Sequence, residues 1–319
     1  MTVDTEVGRL IKMEIVHLIK FADNFTGVEV HLLVSGKYVK LNYAKDVFVQ
    51  ILRKLQQKEV TEVYINEADC KRVIEQVKQS LSPQTFYDPK TVQEKKVEAV
   101  HAALETVKTV INQLGIDPET VKLLKTINTR AMSLLQESPS IFVFIKEFKK
   151  NCSEEFLLSI LTNYVMSLMI DKFPWKSDQV KEKGALASLM CDMTLKPNDF
   201  RELKEWKKGG GELADRLKRH PADVADKLKY NRLLIPIETI TIIEEHHELP
   251  DGTGFPHGVT GNRINQLSAI FIVSQQFMER LHDAQYDYEQ RVVILNDIRE
   301  RYNSKMFYKA IDALTLVVA

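Results

Sequence analysis

The chain has little of what marks the more specialised protein classes. Its 319 residues contain three cysteines, Cys70, Cys152 and Cys191, and no CxxC spacing. Neither a disulfide framework nor a zinc ribbon is indicated, and a reducing cytoplasm suits this composition. An excess of charge of one sign is also missing. Lys+Arg and Asp+Glu both number 44, and the pI is ≈ 7.1, which argues against a nucleic-acid-binding protein. Long apolar runs are absent. The most apolar stretch, residues 156–170, is interrupted by Thr162, Asn163 and Tyr164. It is too short to span a bilayer and reads as a buried helix. The opening MTVDTEVGRL has acidic residues and no apolar signal core. No internal repeat or low-complexity tract stands out.

What is present suits two domains, since 44% hydrophobic residues can fill two cores. Residues 28–41 read as two short strands around Ser35-Gly36. A helix follows over 44–57, then a strand over 60–65 and a helix over 67–81. This small α/β unit carries no cluster of reactive residues, which points to regulation or dimerisation. The break SPQTFYDP (82–89) sets the expected boundaries: a domain over 1–85, connecting helices over 86–150 and a helical domain over 151–319. Helical spacing is predicted over 91–114, 117–136, 139–150, 153–172, 178–192, 220–230, 236–248, 266–283, 286–301 and 304–315, with Gly209-Gly210-Gly211 as a joint. The fold class is therefore α+β overall.

The most informative segment is HHELPDGTGFP, His246 to Pro256. Adjacent helical side chains point about 100° apart. His246 and His247 can meet at one centre only near a helix end, and Pro250-Asp251-Gly252 supplies that end. His220, before Pro221, is expected at a helix entrance, because proline suits the first turn. Asp192 follows the apolar Leu186, Leu189 and Met190, so its carboxylate is expected near the end of a buried helix. There it needs a metal, a cation or several hydrogen bonds. Three imidazoles and a carboxylate suit Fe, Mn, Zn or Ni. His282 is expected on a solvated helix.

HHELPDGTGFPHGVTGNRI (246–264), together with His220-Pro221, resembles the HD-GYP family over roughly residues 150–310. These are helical phosphohydrolases that open cyclic di-GMP. The resemblance implies an HD-type helical domain and a centre of two or three metals, commonly iron or manganese. It makes Asp192 the bridging aspartate, with His220, His246 and His247 holding one ion. Glu155 falls where some members keep a further carboxylate. Asp251, Gly252, Gly254, Phe255, Pro256 and Arg263 are the implied substrate-facing residues.

The chain departs from the family pattern on one side of the site. Ser159 and Cys191 stand where the family has histidines, and Gln275 where it has an aspartate. Leu195 replaces a phosphate-handling lysine, and Phe255 replaces the name-giving tyrosine. Cys191 as thiolate and Gln275 through its carbonyl are the substitute ligands, and neither restores an anionic aspartate. The expectation is one well-formed metal position with Asp192 as the catalytic partner of any activated water; a metal-free relic is the alternative. Three functions follow: an impaired phosphodiesterase of cyclic di-GMP signalling, an active phosphodiesterase acting on cyclic di-GMP or a related diester, or a non-catalytic scaffold for a protein partner. Homodimerisation is open; neither nucleic acid nor a membrane span is expected.

Overall fold

The computed structural model describes residues 3–5, 8–21, 28–41, 48–209, 211–229 and 233–318. Residues 44–47 of the expected helix over 44–57, Gly210 of the triple glycine and Tyr230 lie outside them. The chain divides into two compact units, Met1–Cys152 and Ser153–Ala319.

The first unit is an antiparallel sheet with helices. Its strands are β1 (Val3–Thr5), β2 (Gly8–Glu14), β3 (Val30–Val34), β4 (Lys37–Lys40) and β5 (Glu62–Asn66), in the order β1-β2-β5-β3-β4. Ile11 pairs with Ile65 and Met13 with Val63, so one face of the two central strands is apolar and buried. The β3–β4 hairpin turns at Ser35-Gly36. Both residues have positive φ, 50° and 79°, as a two-residue turn matched to strand twist requires. The helices of this unit are α1 (Ile15–Phe21), α2 (Phe48–Gln57), α3 (Glu67–Ser80), α4 (Pro83–Phe86), α5 (Gln93–Leu114), α6 (Pro118–Glu137) and α7 (Ile141–Asn151). α5 packs on α1, α3, α6 and β2, which puts the long helices beside the sheet in one core. The early strands β1 and β2 and helix α1 were not expected from sequence. In β2, Ile11 and Met13 are buried and Lys12 and Glu14 are not, but Leu10 on the other face is buried as well, which blurs a short alternation.

The second unit is helical: α8 (Glu154–Ile170), α9 (Asp178–Met190), α10 (Pro197–Lys207), α11 (Asp215–Lys229), α12 (Ile237–Glu245), α13 (Gln266–Asp283), α14 (Arg291–Arg301) and α15 (Lys305–Val318). α8 is the expected buried helix. It is apolar nearly all round, and Phe156, Ile160, Leu161, Met166 and Ile170 are fully enclosed against α9, α13 and α15. α10 was not expected, although Pro197 at its first turn and the Asp199 Oδ2 acceptor for Lys196 N (2.9 Å) mark its start. Among the described residues, no helix is long and apolar enough to cross a membrane.

Candidate metal centre

Three helices of the second unit deliver one group of four residues. α9 ends at Met190, Cys191 caps it, and Asp192 follows in the turn. His246 is the C-cap of α12, and His247 follows where the helix has stopped. His220 comes from α11, with a difference from the expected helix entrance. α11 begins at Asp215, and Pro221 lies inside it. A proline there lacks the N–H that would bond the carbonyl four residues earlier, Leu217. The His220 side chain supplies the donor instead: Nδ1 lies 2.6 Å from Leu217 O. The histidine repairs the defect made by the next residue, so the helix continues.

This repair also sets the tautomer. With Nδ1 donating to Leu217 O, the His220 Nε2 is left as the free lone pair. His246 is oriented the same way by Nδ1 to Ile243 O at 2.6 Å. The two Nε2 atoms are 3.4 Å apart, and Asp192 Oδ1 lies 3.1 Å from the first and 3.4 Å from the second. Ligand atoms bound at roughly 2.1 Å to one ion stand about 3 Å from each other. The potential ligand atoms of Asp192, His220, His246 and His247 all lie within 4.8 Å of one another. Burial works to raise the Asp192 pKa, but the His220 and His246 imidazoles beside its carboxyl outweigh this and hold it well below the usual range. Burial pushes the His247 pKa well down, and its neighbours His246 and Lys207 add to the shift, so its imidazole is neutral. Its Nε2 is buried with no hydrogen-bond partner. A neutral imidazole whose Nε2 has no partner, beside three converging ligand atoms, fits a divalent metal.

The other half of the expected site lacks this convergence. Among the described residues, the four named above are the group that could hold an ion. Ser159 Oγ bonds Glu155 O at 3.0 Å, and Cys191 Sγ lies 3.6 Å from Asp192 Oδ2. Gln275 Oε1 is buried without a partner. Glu155, Asp192, His247 and Gln275 share the lining of a cavity of about 500 Å³, within the range of small-molecule sites. Arg280 lines it too. His282 is 7% exposed and also lines it, with Nε2 3.4 Å from Glu154, which corrects the expected solvated position.

The loop residues lie elsewhere. Asp251 Oδ1 accepts from Thr253 N (2.9 Å) and Thr253 Oγ1 (2.7 Å) and closes the turn. Gly252 has φ 78°, and Gly254 packs on the backbone of residues 247–249. Phe255 is buried with Leu203, Leu213 and Leu217, its ring 4.6 Å from His247 and 5.3 Å from Trp206. Leu195 packs on that same cluster. Asp251, Gly252, Gly254, Phe255, Pro256 and Arg263 are not among the cavity-lining residues. Glu248 was missed from sequence, though it is the third letter of the HHE run. It is fully buried, and its carboxylate accepts His257 N (2.7 Å) and Val259 N (2.9 Å), tying the loop back beneath the histidines.

No family model matches this chain, and no curated protein matches it. It is similar to a solved structure described as a HDG"Y"P protein from Bdellovibrio bacteriovorus, at 14% sequence identity and a TM-score of 0.55. The match covers 97% of this chain and 99% of that one, and assigns this chain the fold of that protein.

Proposed function

We propose that this protein is a divergent HD-GYP-type protein of the cytoplasm. It holds one divalent transition metal, iron or manganese, on Asp192, His220, His246 and His247. The ligand of its cavity is cyclic di-GMP or a related phosphodiester, with turnover weak or absent. The observation that carries this reading is the unpartnered, buried Nε2 of His247 beside Asp192 and two oriented imidazoles; among the described residues no such group of His, Cys, Asp or Glu forms on the Ser159–Cys191–Gln275 side, where Gln275 Oε1 is buried without a partner. When bound, a divalent ion supplies Lewis acidity to a phosphoryl oxygen. Asp192 and the two oriented imidazoles fix where that ion sits. Gln275 and Cys191 offer little to a second ion, so the clamp that a two-metal centre places on attacking and leaving oxygens is incomplete.

Protein purified without an affinity tag is expected to carry about one equivalent of transition metal, and not two. Elemental analysis reads this, and less than about half an equivalent would sink the proposal. Incubated anaerobically with cyclic di-GMP and Mn(II) or Fe(II), it is expected to retain the intact cyclic dinucleotide on chromatography. Rapid release of linear dinucleotide or GMP would overturn the assignment of weak turnover.

A further inference from the structure

Lys207 stands at the same cavity in a position the reading above leaves unused. The spacing of Phe200, Leu203, Lys204 and Lys207 puts them on one face of α10, and all four line the cavity. That face is held from behind by Trp206 against Phe255 and by Leu203 in the apolar cluster. Lys207 Nζ lies 2.7 and 2.8 Å from the two oxygens of Glu279 on α13, and Gln276 Nε2 donates to Glu279 Oε2 at 3.1 Å. The ammonium is thereby held in one direction. Lys207 lines the same cavity as Asp192 and His247. Of the other cations that line the cavity, Lys204 is drawn to Glu154 and Asp283, Lys208 to Asp283, Arg280 to Asp297 and Arg201 to Asn198, while Arg301 comes from α14. The chain near Asp192 sends no cation in its place, because Leu195 is packed into the apolar cluster.

Resting on the reading that the cluster holds a divalent ion, we infer that Lys207, oriented by Glu279, is the cation that receives a phosphate group of the cavity's ligand. A metal ion and an ammonium then flank one anion, and phosphate has oxygens enough for both. Glu279 acts in two senses. It fixes the direction of Nζ, and its negative charge weakens the field that an arriving anion meets. The two residues therefore have opposite signs of effect on affinity.

The test is calorimetric titration of inorganic phosphate into the Mn(II)-loaded full chain. Lys207→Met is expected to weaken binding about ten-fold or more, as for a lost charged hydrogen bond, and Lys207→Arg to recover most of it. Glu279→Gln keeps an acceptor for Nζ but removes the charge, and is expected to tighten binding about three-fold or more. A purely structural ion pair predicts that both variants weaken binding together. Wild-type affinity in a folded Lys207→Met, or weaker binding in Glu279→Gln, would overturn the assignment. Should Lys207→Met fail to fold by circular dichroism, the Glu279→Gln and Lys207→Arg arms decide. Absence of metal from the wild type overturns the proposed function instead, and the same titration on metal-free protein still reads Lys207.

Discussion

His247→Leu is expected to lose the metal and yet leave the metal-free protein at least as stable as the wild type. His247 Nε2 is buried without a partner, so the apo protein carries the cost of a desolvated polar atom there. Such an atom costs about 1–3 kcal/mol, and an apolar side chain of similar volume removes that cost. Metal content is expected to fall from about one equivalent to less than a tenth. His246→Leu makes the contrast. It loses the metal equally, but it also strips the hydrogen bond that Ile243 O accepts and removes the imidazole that stands 3.4 Å from Asp192 Oδ1. Its apo form is expected to be less stable than the wild type by about 1–3 kcal/mol. Urea melts of the chelated variants, with elemental analysis of the untreated ones, read both quantities. A His247→Leu protein that keeps its metal, or one whose apo form is strongly destabilised, would show that the histidine serves the fold and not an ion.

The contrast also shows what the sequence could carry. The four candidate ligands were legible because their chemistry is unusual: adjacent histidines before a Pro-Asp-Gly turn, and an aspartate at the end of an apolar helix. Their number and convergence needed no distances to suggest. The place of His220 was not legible. Pro221 by rule marks a first turn, and nothing local says that the preceding imidazole will take over the lost backbone bond to Leu217. Lys207 was invisible for another reason. It lies 40 residues from His247 in sequence, and the packing of Trp206 and Leu203 on Phe255 and its cluster turns its helix face to the cavity. The strand β2 escaped because a buried Leu10 interrupts the short alternation of Ile11 and Met13 with Lys12 and Glu14. The helical unit, by contrast, was legible almost throughout, since long apolar or amphipathic segments with serine or asparagine caps state their own ends.

Gly254→Ala is expected to disrupt the site more than any other change of one methyl group in this unit. A Cβ at Gly254 would lie 2.3 Å from Leu249 N and 2.6 Å from both Glu248 Cα and His247 O. All three are backbone atoms, and Phe255 N bonds that same His247 O at 3.2 Å. Neither strand of the contact can turn aside as a side chain would, so the loop must lift off residues 247–249. That movement carries Phe255 away from His247 and Trp206. The expected cost is about 3 kcal/mol, the upper end for overpacking, and metal affinity should fall with it because His247 loses its support. Gly184→Ala in α9 supplies the comparison. Its Cβ would come within 2.6 Å of Met166 Sδ and 2.8 Å of Cε, a clash of similar depth on paper. There the neighbour is the far end of a flexible thioether, and alanine is favoured over glycine in a helix by about 1 kcal/mol. That variant is expected to be within about 1 kcal/mol of the wild type. Trp206 fluorescence in a Trp175→Phe background should report the Gly254→Ala change directly, since Trp206 packs on Phe255. Equal melting midpoints for the two alanine variants, or an unshifted Trp206 emission in Gly254→Ala, would mean that the loop yields without moving the ring and that Gly254 does not hold the histidines in place.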